Sequence, residues 1–218
     1  MALKINRNFA TLYGIMLGDG CLSLVYGRKK YIAIAGSMRD DVPFFEKIVK
    51  PILKSLIRKD VTIKFKPKYG AIQLNFVNRS LFDFIKSFGF PIGKKGINLH
   101  IPQIFYEKSL VKYVLRGFFA TDGSLVLTDN NGTLYPRVET NGISKSLINE
   151  ISDFLNSKGI NSNFYEAKRK GSNYPNTLQQ YRIQINGKKN LKKFIGVIGF
   201  INPKQIEKLN RFYAYGRD

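Results

Sequence analysis

The sequence predicts an α+β fold made of two pseudo-symmetric αββαββα repeats, residues 1–109 and 110–218, and three observations predict it. A nine-residue apolar segment ending in Asp-Gly occurs twice, a second landmark recurs behind it, and the stretches between alternate apolar and polar residues with period two. Leu12 to Gly20 reads Leu-Tyr-Gly-Ile-Met-Leu-Gly-Asp-Gly, and Leu115 to Gly123 reads Leu-Arg-Gly-Phe-Phe-Ala-Thr-Asp-Gly, at an offset of 103. Phe88-Gly89-Phe90 with Lys94 matches Ile198-Gly199-Phe200 with Lys204, at an offset of 110. Two turn-rich stretches, 129–132 and 171–176, supply room for the added residues.

Within the first repeat, the apolar segment reads as a helix ending at Asp19, where Gly20 suits a left-handed C-terminal position. Strands follow near 21–26 and 30–37 around a turn at 27–29, then a helix from about 41 to 57. A second hairpin, 61–66 and 71–77, turns at Lys68-Tyr69-Gly70 and leads into a helix near 79–88. The second repeat follows the same order, with Gly123 in the place of Gly20. Its strands fall near 124–128, 135–142, 161–168 and 179–186, and its helices near 145–157 and 188–197, with a last helix at about 203–214.

Alternation assigns the sheet faces. Ile63, Phe65, Ile72, Leu74 and Phe76 form an apolar set that packs on helices. The opposite set carries Lys64, Lys66, Lys68, Gln73 and Asn75. In the second repeat Arg137, Glu139, Asn141, Gln180, Arg182, Gln184 and Asn186 alternate with apolar residues in the same way. With Arg28, Lys30, Lys168 and Lys170 these form the candidate DNA-contacting residues, because forked donors and acceptors match base edges in the major groove. Each such side chain taken singly is also what a solvated sheet face carries.

Charge supports a polyanionic partner. Lys and Arg number 36 against 15 Asp and Glu, a net of +21, spread over both repeats and not confined to a tail. Charge alone also fits a ribosomal type of protein. Cys21 is the only cysteine, which excludes an intrachain disulfide framework and a cysteine-built zinc site. The single histidine, His100, removes nuclease schemes that need several and reads as structural. No stretch reaches the roughly 18 apolar residues of a membrane span, and the first nine residues lack the core of a signal peptide. A soluble, intracellular chain is expected, in a prokaryotic cytoplasm or nucleoid or in an organelle.

The duplicated segment carries the chemistry. Gly14 and Gly18, like Gly117 and Thr121, stand four apart on one helical face, so two such helices can pack closely and bring Asp19 and Asp122 together. Helix C-termini carry partial negative charge, and two carboxylates meeting there repel, which raises a pKa or calls for a hard cation such as Mg²⁺. One copy alone would read as a core helix ending in a turn; two copies in a +21 chain need another reason for both acids.

Both segments look like the LAGLIDADG motif, and the duplicated αββαββα order with polar sheet faces resembles the monomeric two-repeat LAGLIDADG homing endonucleases over nearly the whole chain. The resemblance implies a central two-helix interface, saddle-shaped antiparallel sheets over the major groove of double-stranded DNA, and a long, pseudo-palindromic target. It implies cleavage across the minor groove that leaves short 3′ overhangs. Carried onto this sequence it makes Asp19 and Asp122 metal ligands and catalytic residues, supported by the carbonyls of Gly18 and Thr121. Mg²⁺ is the expected ion, with Mn²⁺ substituting and Ca²⁺ supporting binding without cleavage. A basic residue is implied near each metal: Lys204 in the second repeat, and Lys94 by the internal offset or Lys95 by its spacing to Pro102 in the first. Water-orienting candidates are Ser37, Asn141 and Ser144, in place of the family's frequent Gln.

Three rivals stand beside this reading: an intron RNA maturase, a DNA-binding regulator that does not cut, and a nuclease using a Glu-x-Lys element such as Glu166-Ala167-Lys168. Retention of both Asp19 and Asp122 disfavours a purely non-catalytic maturase, and binding with Ca²⁺ without nicking in Mg²⁺ would favour the regulator. An intron-encoded monomer is expected over an element embedded in another protein, since the ends show no splicing residues.

Overall fold

The computed structural model describes residues 3–169 and 178–215. Lys170 and the turn-rich stretch at 171–176 lie outside them. Helix α1 spans Arg7–Asp19 and is capped by Asn6, whose side chain accepts from the Phe9 amide at 2.9 Å. Strands β1 (Gly20–Val25) and β2 (Lys29–Ser37) form the first hairpin. Helix α2 (Val42–Phe44), a π-helical turn (Phe45–Val49) and α3 (Lys50–Ile57) make one continuous helical rod. Strand β3 (Ile63–Lys66), β4 (Ala71–Val77) and α4 (Arg79–Lys86) follow, then a short α5 (Gln103–Glu107). The second repeat runs α6 (Val111–Thr121), β5 (Gly123–Asn130), β6 (Thr133–Gly142), α7 (Lys145–Ser157), β7 (Asn163–Arg169), β8 (Leu178–Asn186), α8 (Lys188–Val197) and α9 (Pro203–Tyr215).

Each repeat folds into one antiparallel four-stranded sheet, in the orders β1-β2-β4-β3 and β5-β6-β8-β7. The inner faces are dry: Leu22, Ile32, Ile34, Ile72 and Leu74 in the first sheet, and Leu125, Val138, Ile183 and Ile185 in the second, are fully buried. Helices close over these faces, so the outer faces are left to solvent.

Helices α1 and α6 pack along each other at the centre. A Cβ on Gly14 would collide with the Val114 carbonyl oxygen, one on Gly117 with that of Thr11, and one on Gly18 with the Thr121 hydroxyl. The small-residue strips predicted from sequence thus let two backbones touch, and both helices point their C-termini at the same place.

Several expectations are corrected. Gly20 is extended (φ −88°, ψ 159°), and neither it nor Gly123 has a positive φ. These glycines are needed for space: a Cβ would strike Met16 or the Phe119 carbonyl where a strand leaves its helix. Phe65 is exposed, because it sits near the end of an edge strand beyond the helices. The helix expected at 41–57 contains the π turn, ahead of Pro51, which has no N–H to continue the α-helical ladder. Helix α5 was not foreseen.

Candidate metal centre and nucleic-acid interface

Asp19 ends α1 and Asp122 follows the last residue of α6, so the helix packing carries the two acids to one spot. A Cβ on Gly18 would stand 3.3 Å from the Asp122 carboxyl carbon. Burial and the neighbouring Asp122 push the Asp19 carboxyl up to about 6. Asp122 is raised as well, again by burial. It remains accessible to solvent from one side while protein surrounds it on the others, as a residue on the floor of an open depression does.

Lys95 is the first-repeat lysine at this place. Its ammonium donates to the Met16 and Leu17 carbonyls at 3.3 and 2.9 Å, and to that of Gly18, so it covers the negative end of α1. Burial lowers its pKa, against the opposing pull of Asp122 and Asp19. Lys94 is exposed. In the second repeat Lys204 pairs with Asp41, Nζ to Oδ1 2.7 Å, and its charge is felt by Asp19.

Asp122 lines two depressions. One of about 230 Å³ is lined by Gly18, Lys95, Asp122 and Ser144; the other, about 800 Å³ and open, by Thr121, Asp122, Asn141, Gln180 and Lys204. A further cleft of about 810 Å³, between Tyr106, Asp153 and Phe154, involves neither acid. Among the described residues no group of three His, Cys, Asp or Glu side chains is placed to hold a metal ion. The donor set is therefore two carboxylates with main-chain oxygens, the hard and sparse set that Mg²⁺ accepts while keeping its waters. Gly18 gives one carbonyl lone pair to Lys95 and retains the other. Burial raises both carboxyls and their mutual repulsion adds to it at Asp19, so a hard cation that stabilises the ionised forms fits these residues.

The water-orienting candidates separate. Ser144 is buried, caps α7 and donates to the Leu99 carbonyl at 3.0 Å, which commits its hydroxyl. Ser37 donates its amide to Asp41 and exchanges weak contacts with Asp40. Asn141 lines the open depression. Asp41 was missed by the sequence reading; an acid two residues before Pro43 is an ordinary helix start and carries no signal of its own.

Strand register fixes which candidate side chains share the outer faces, since directly opposed residues of antiparallel strands lie on the same side. Lys64 opposes Gln73, Gln73 opposes Ala35 and Asn75 opposes Ala33, so Lys64, Lys66, Gln73 and Asn75 share one face. Glu139 opposes Gln184, Arg137 opposes Asn186 and Asn141 opposes Arg182, with Gln180 in line. Tyr165 and Asn163 join this face and were not foreseen. Lys30 and Lys168 are corrections. Lys30 shares the parity of buried Ile32, reaches helix α4 and pairs with Asp83 at 2.5 Å. Lys168 opposes Gln179 and falls on the side of Phe164 and Tyr181. Arg28 and Lys68 sit in exposed hairpin turns. His100 faces Glu150 at 2.7 Å, in keeping with a structural role. Glu166 of the Glu-x-Lys tripeptide pairs with Lys145 at 2.7 Å, away from both aspartates.

Comparison with known proteins bears on the fold. Residues 109–199 match the LAGLIDADG-like domain model. Over 208 residues the chain is 33% identical to a Methanocaldococcus jannaschii protein named probable translation initiation factor IF-2, covering 94% of this chain and 16% of that one. A tRNA-splicing ligase RtcB of Methanopyrus kandleri is 28% identical over 163 residues, 70% of this chain and 16% of that protein. The chain thus spans about a sixth of the length of these curated relatives. Among solved structures, the homing endonuclease I-DmoI in complex with DNA and Ca matches with a TM-score of 0.62 at 14% identity, covering 94% of this chain and 97% of that one. The LAGLIDADG meganuclease I-AabMI bound to uncleaved DNA matches at 0.56 and 16% identity, with 96% and 90% covered. These likenesses establish a common fold. No helix among the described residues is long and apolar enough to cross a membrane.

Proposed function

The chain carries a LAGLIDADG-like domain inside the two-repeat fold of the single-chain LAGLIDADG homing endonucleases, and from that premise we propose that it is a sequence-specific, divalent-metal-dependent DNA endonuclease. It would act as a monomer with two functional halves, 1–109 and 110–218, and hydrolyse one phosphodiester on each strand of a long, imperfectly symmetric duplex. The observation that carries this reading is the coupling of Asp19 to Asp122 beside two depressions, both lined by Asp122, that each present a lysine.

The division of labour follows from the residues. Asp19 and Asp122, ionised, would hold Mg²⁺ or Mn²⁺ with help from the main-chain oxygens of Gly18 and Thr121 at the ends of the two helices. Such an ion supplies, when bound, Lewis acidity toward water and the scissile phosphate. Lys95 and Lys204 add positive charge on either side of the pair, where the phosphates of two strands would gain negative charge in their transition states. The outer sheet faces, with Lys64, Lys66, Gln73 and Asn75 in one repeat and Arg137, Glu139, Asn141, Gln180, Arg182, Gln184 and Asn186 in the other, follow the major groove and read base edges. Cutting across the intervening minor groove leaves short 3′ overhangs.

The names of the relatives span several activities, two of the six being a tRNA-splicing ligase RtcB, and the matched segment is 12% to 22% of each. A segment of this length recurring inside otherwise unrelated proteins fits a mobile coding element, which is what a homing activity propagates. In those relatives the setting is a larger protein, against the expectation of an intron.

The test is selection of a cleaved duplex from a randomised library with Mg²⁺, followed by binding with Ca²⁺. Cutting of both strands is expected, and it should vanish in Asp19→Asn and Asp122→Asn while binding persists. A selected duplex that is bound and never nicked in Mg²⁺ or Mn²⁺ would favour the regulator.

A further inference from the structure

The two depressions beside the acid pair are built differently. In the first repeat the last carbonyls of α1 are covered by Lys95. In the second repeat the corresponding carbonyls are covered by amides: Gln205 donates to Phe119 at 2.6 Å and Asn202 to Ala120 at 2.8 Å. Lys204 is released from that duty. Its ammonium crosses to the first repeat and reaches Asp41 Oδ1 at 2.7 Å, a contact between residues 163 apart in the chain.

Asp41 is only 8% exposed, and a carboxylate in that position is costly unless each oxygen is satisfied. Its second oxygen accepts from the Ser37 amide at 2.9 Å at the end of β2, so the carboxylate is fixed to a rigid strand. Lys204 is anchored at its other end by its amide, which donates to Asn202 at 3.1 Å. At an offset of 103 the residue matching Asp41 is Ser144, an uncharged hydroxyl that donates to the Leu99 carbonyl. Among the described residues a carboxylate–lysine ion pair of this kind therefore stands on one side of the centre.

Resting on the endonuclease reading above, we propose that Asp41 is the positioning residue for Lys204, aiming its ammonium at one scissile phosphate and making the two strand-cutting half-sites unequal. Asp41 acts through the lysine and not as a metal ligand. Removing its charge frees Lys204 to follow solvent, where side-chain entropy opposes any single geometry.

The experiment uses a duplex selected from the randomised library, carrying a different fluorophore on each strand, so that both nicking rates are read in one reaction with Mg²⁺. Asp41→Asn is expected to change the ratio of the two rates at least about tenfold, the size of effect that loss of positioning gives. Lys204→Met should shift the ratio in the same direction, and the double variant should do no more than Lys204→Met alone, since the pair works as a unit. Asp41→Glu should recover part of the ratio. Lys204 is partly exposed, so its variant keeps the test open if Asp41→Asn does not fold. An unchanged ratio, equal slowing of both strands, or additive defects in the double variant would overturn the proposal. A wild-type chain that cuts no library member would instead refute the endonuclease reading itself.

Discussion

The Lys95 ammonium lies 2.9 Å from the Leu17 carbonyl oxygen, closing the C-terminus of α1 beside two carboxylates. Three main-chain acceptors share one buried cation there. Replacing it by Met keeps the stem and leaves those acceptors without their donor, next to acids that lose a compensating charge. Lys95→Met should therefore lower the free energy of unfolding by about 2 kcal/mol at neutral pH. Lys94→Met, at an exposed position, should stay within about 0.5 kcal/mol. Urea melts of both variants decide the matter, and equal losses would return the assignment of the first-repeat lysine to the ambiguity left by sequence.

The acid pair should make the metal-free protein pH-dependent in a direction opposite to an ordinary salt-bridged Asp. The Asp19 carboxyl is pushed up to about 6 in the fold from the ordinary 3.8 of an unfolded chain, so between these values the native state holds the proton more tightly. Its contribution is fully present below about 4 and is lost as pH rises through about 6, a change on the order of 2 kcal/mol. Melting of wild type minus Asp19→Asn, scanned over that window, separates the effect of this carboxyl from the general charge of the chain. Ca²⁺ or Mg²⁺ added at pH 7 should restore stability to wild type and not to Asp19→Asn, because the ion binds the ionised pair. A difference curve that rises with pH would contradict the burial of these carboxyls.

Much of this architecture is legible in the sequence because duplication writes each element twice. The Asp-Gly helices, the four hairpin strands of each repeat, and helices 145–157 and 188–197 follow from periodicity and matched landmarks. What periodicity does not carry is the third dimension at element ends. It placed Lys30 and Lys168 on the solvent face by their charge, although their parity sets them toward the helices. It gave Gly20 and Gly123 a turn, where the need was room for Met16 and Phe119. The choice of Lys95 over Lys94 rests on a contact between residues 78 apart within the first repeat, and Asp41 became visible only through its contact with Lys204 across the repeats, 163 residues away, which no local pattern encodes.

The interface between α1 and α6 admits no side chain at Gly117, since a Cβ would meet the Thr11 carbonyl and Ile15 amide, both backbone atoms that can yield only by moving a helix. Gly117→Ala should then separate the helices and cost about 3 kcal/mol, the upper range for overpacking. Gly96→Ala is the matched control, because nothing lies within 4 Å of a Cβ there and its φ is not positive. It should be neutral or slightly stabilising. The displaced helices also carry Asp19 and Asp122 apart, so Gly117→Ala should weaken Ca²⁺ binding as well as lower the melting temperature. A stability loss with unchanged Ca²⁺ affinity would separate the helix contact from the metal centre.

On the outer face of the second sheet, Arg137 donates Nε to Glu139 at 2.9 Å, and Gln184 donates to the same oxygen at 3.3 Å. Holding a guanidinium by Nε leaves its two terminal nitrogens directed outward as a fork, the geometry that meets guanine O6 and N7 in the major groove. Arg137→Ala should cost about 1 to 3 kcal/mol of binding and relax the preference at one base pair of the selected target. Glu139→Gln keeps the arginine and removes the charge that orients it, so it should relax the same base pair with a smaller loss of affinity. Lys64→Ala, which removes a single ammonium from an exposed position of the first sheet, should weaken binding evenly across sequences and flatten its salt dependence. Competition binding of each variant to single-base-pair variants of the target, with Ca²⁺ and at two salt concentrations, distinguishes these patterns. Even loss in Arg137→Ala would make this arginine a phosphate contact, and Glu139 a residue that only offsets its charge.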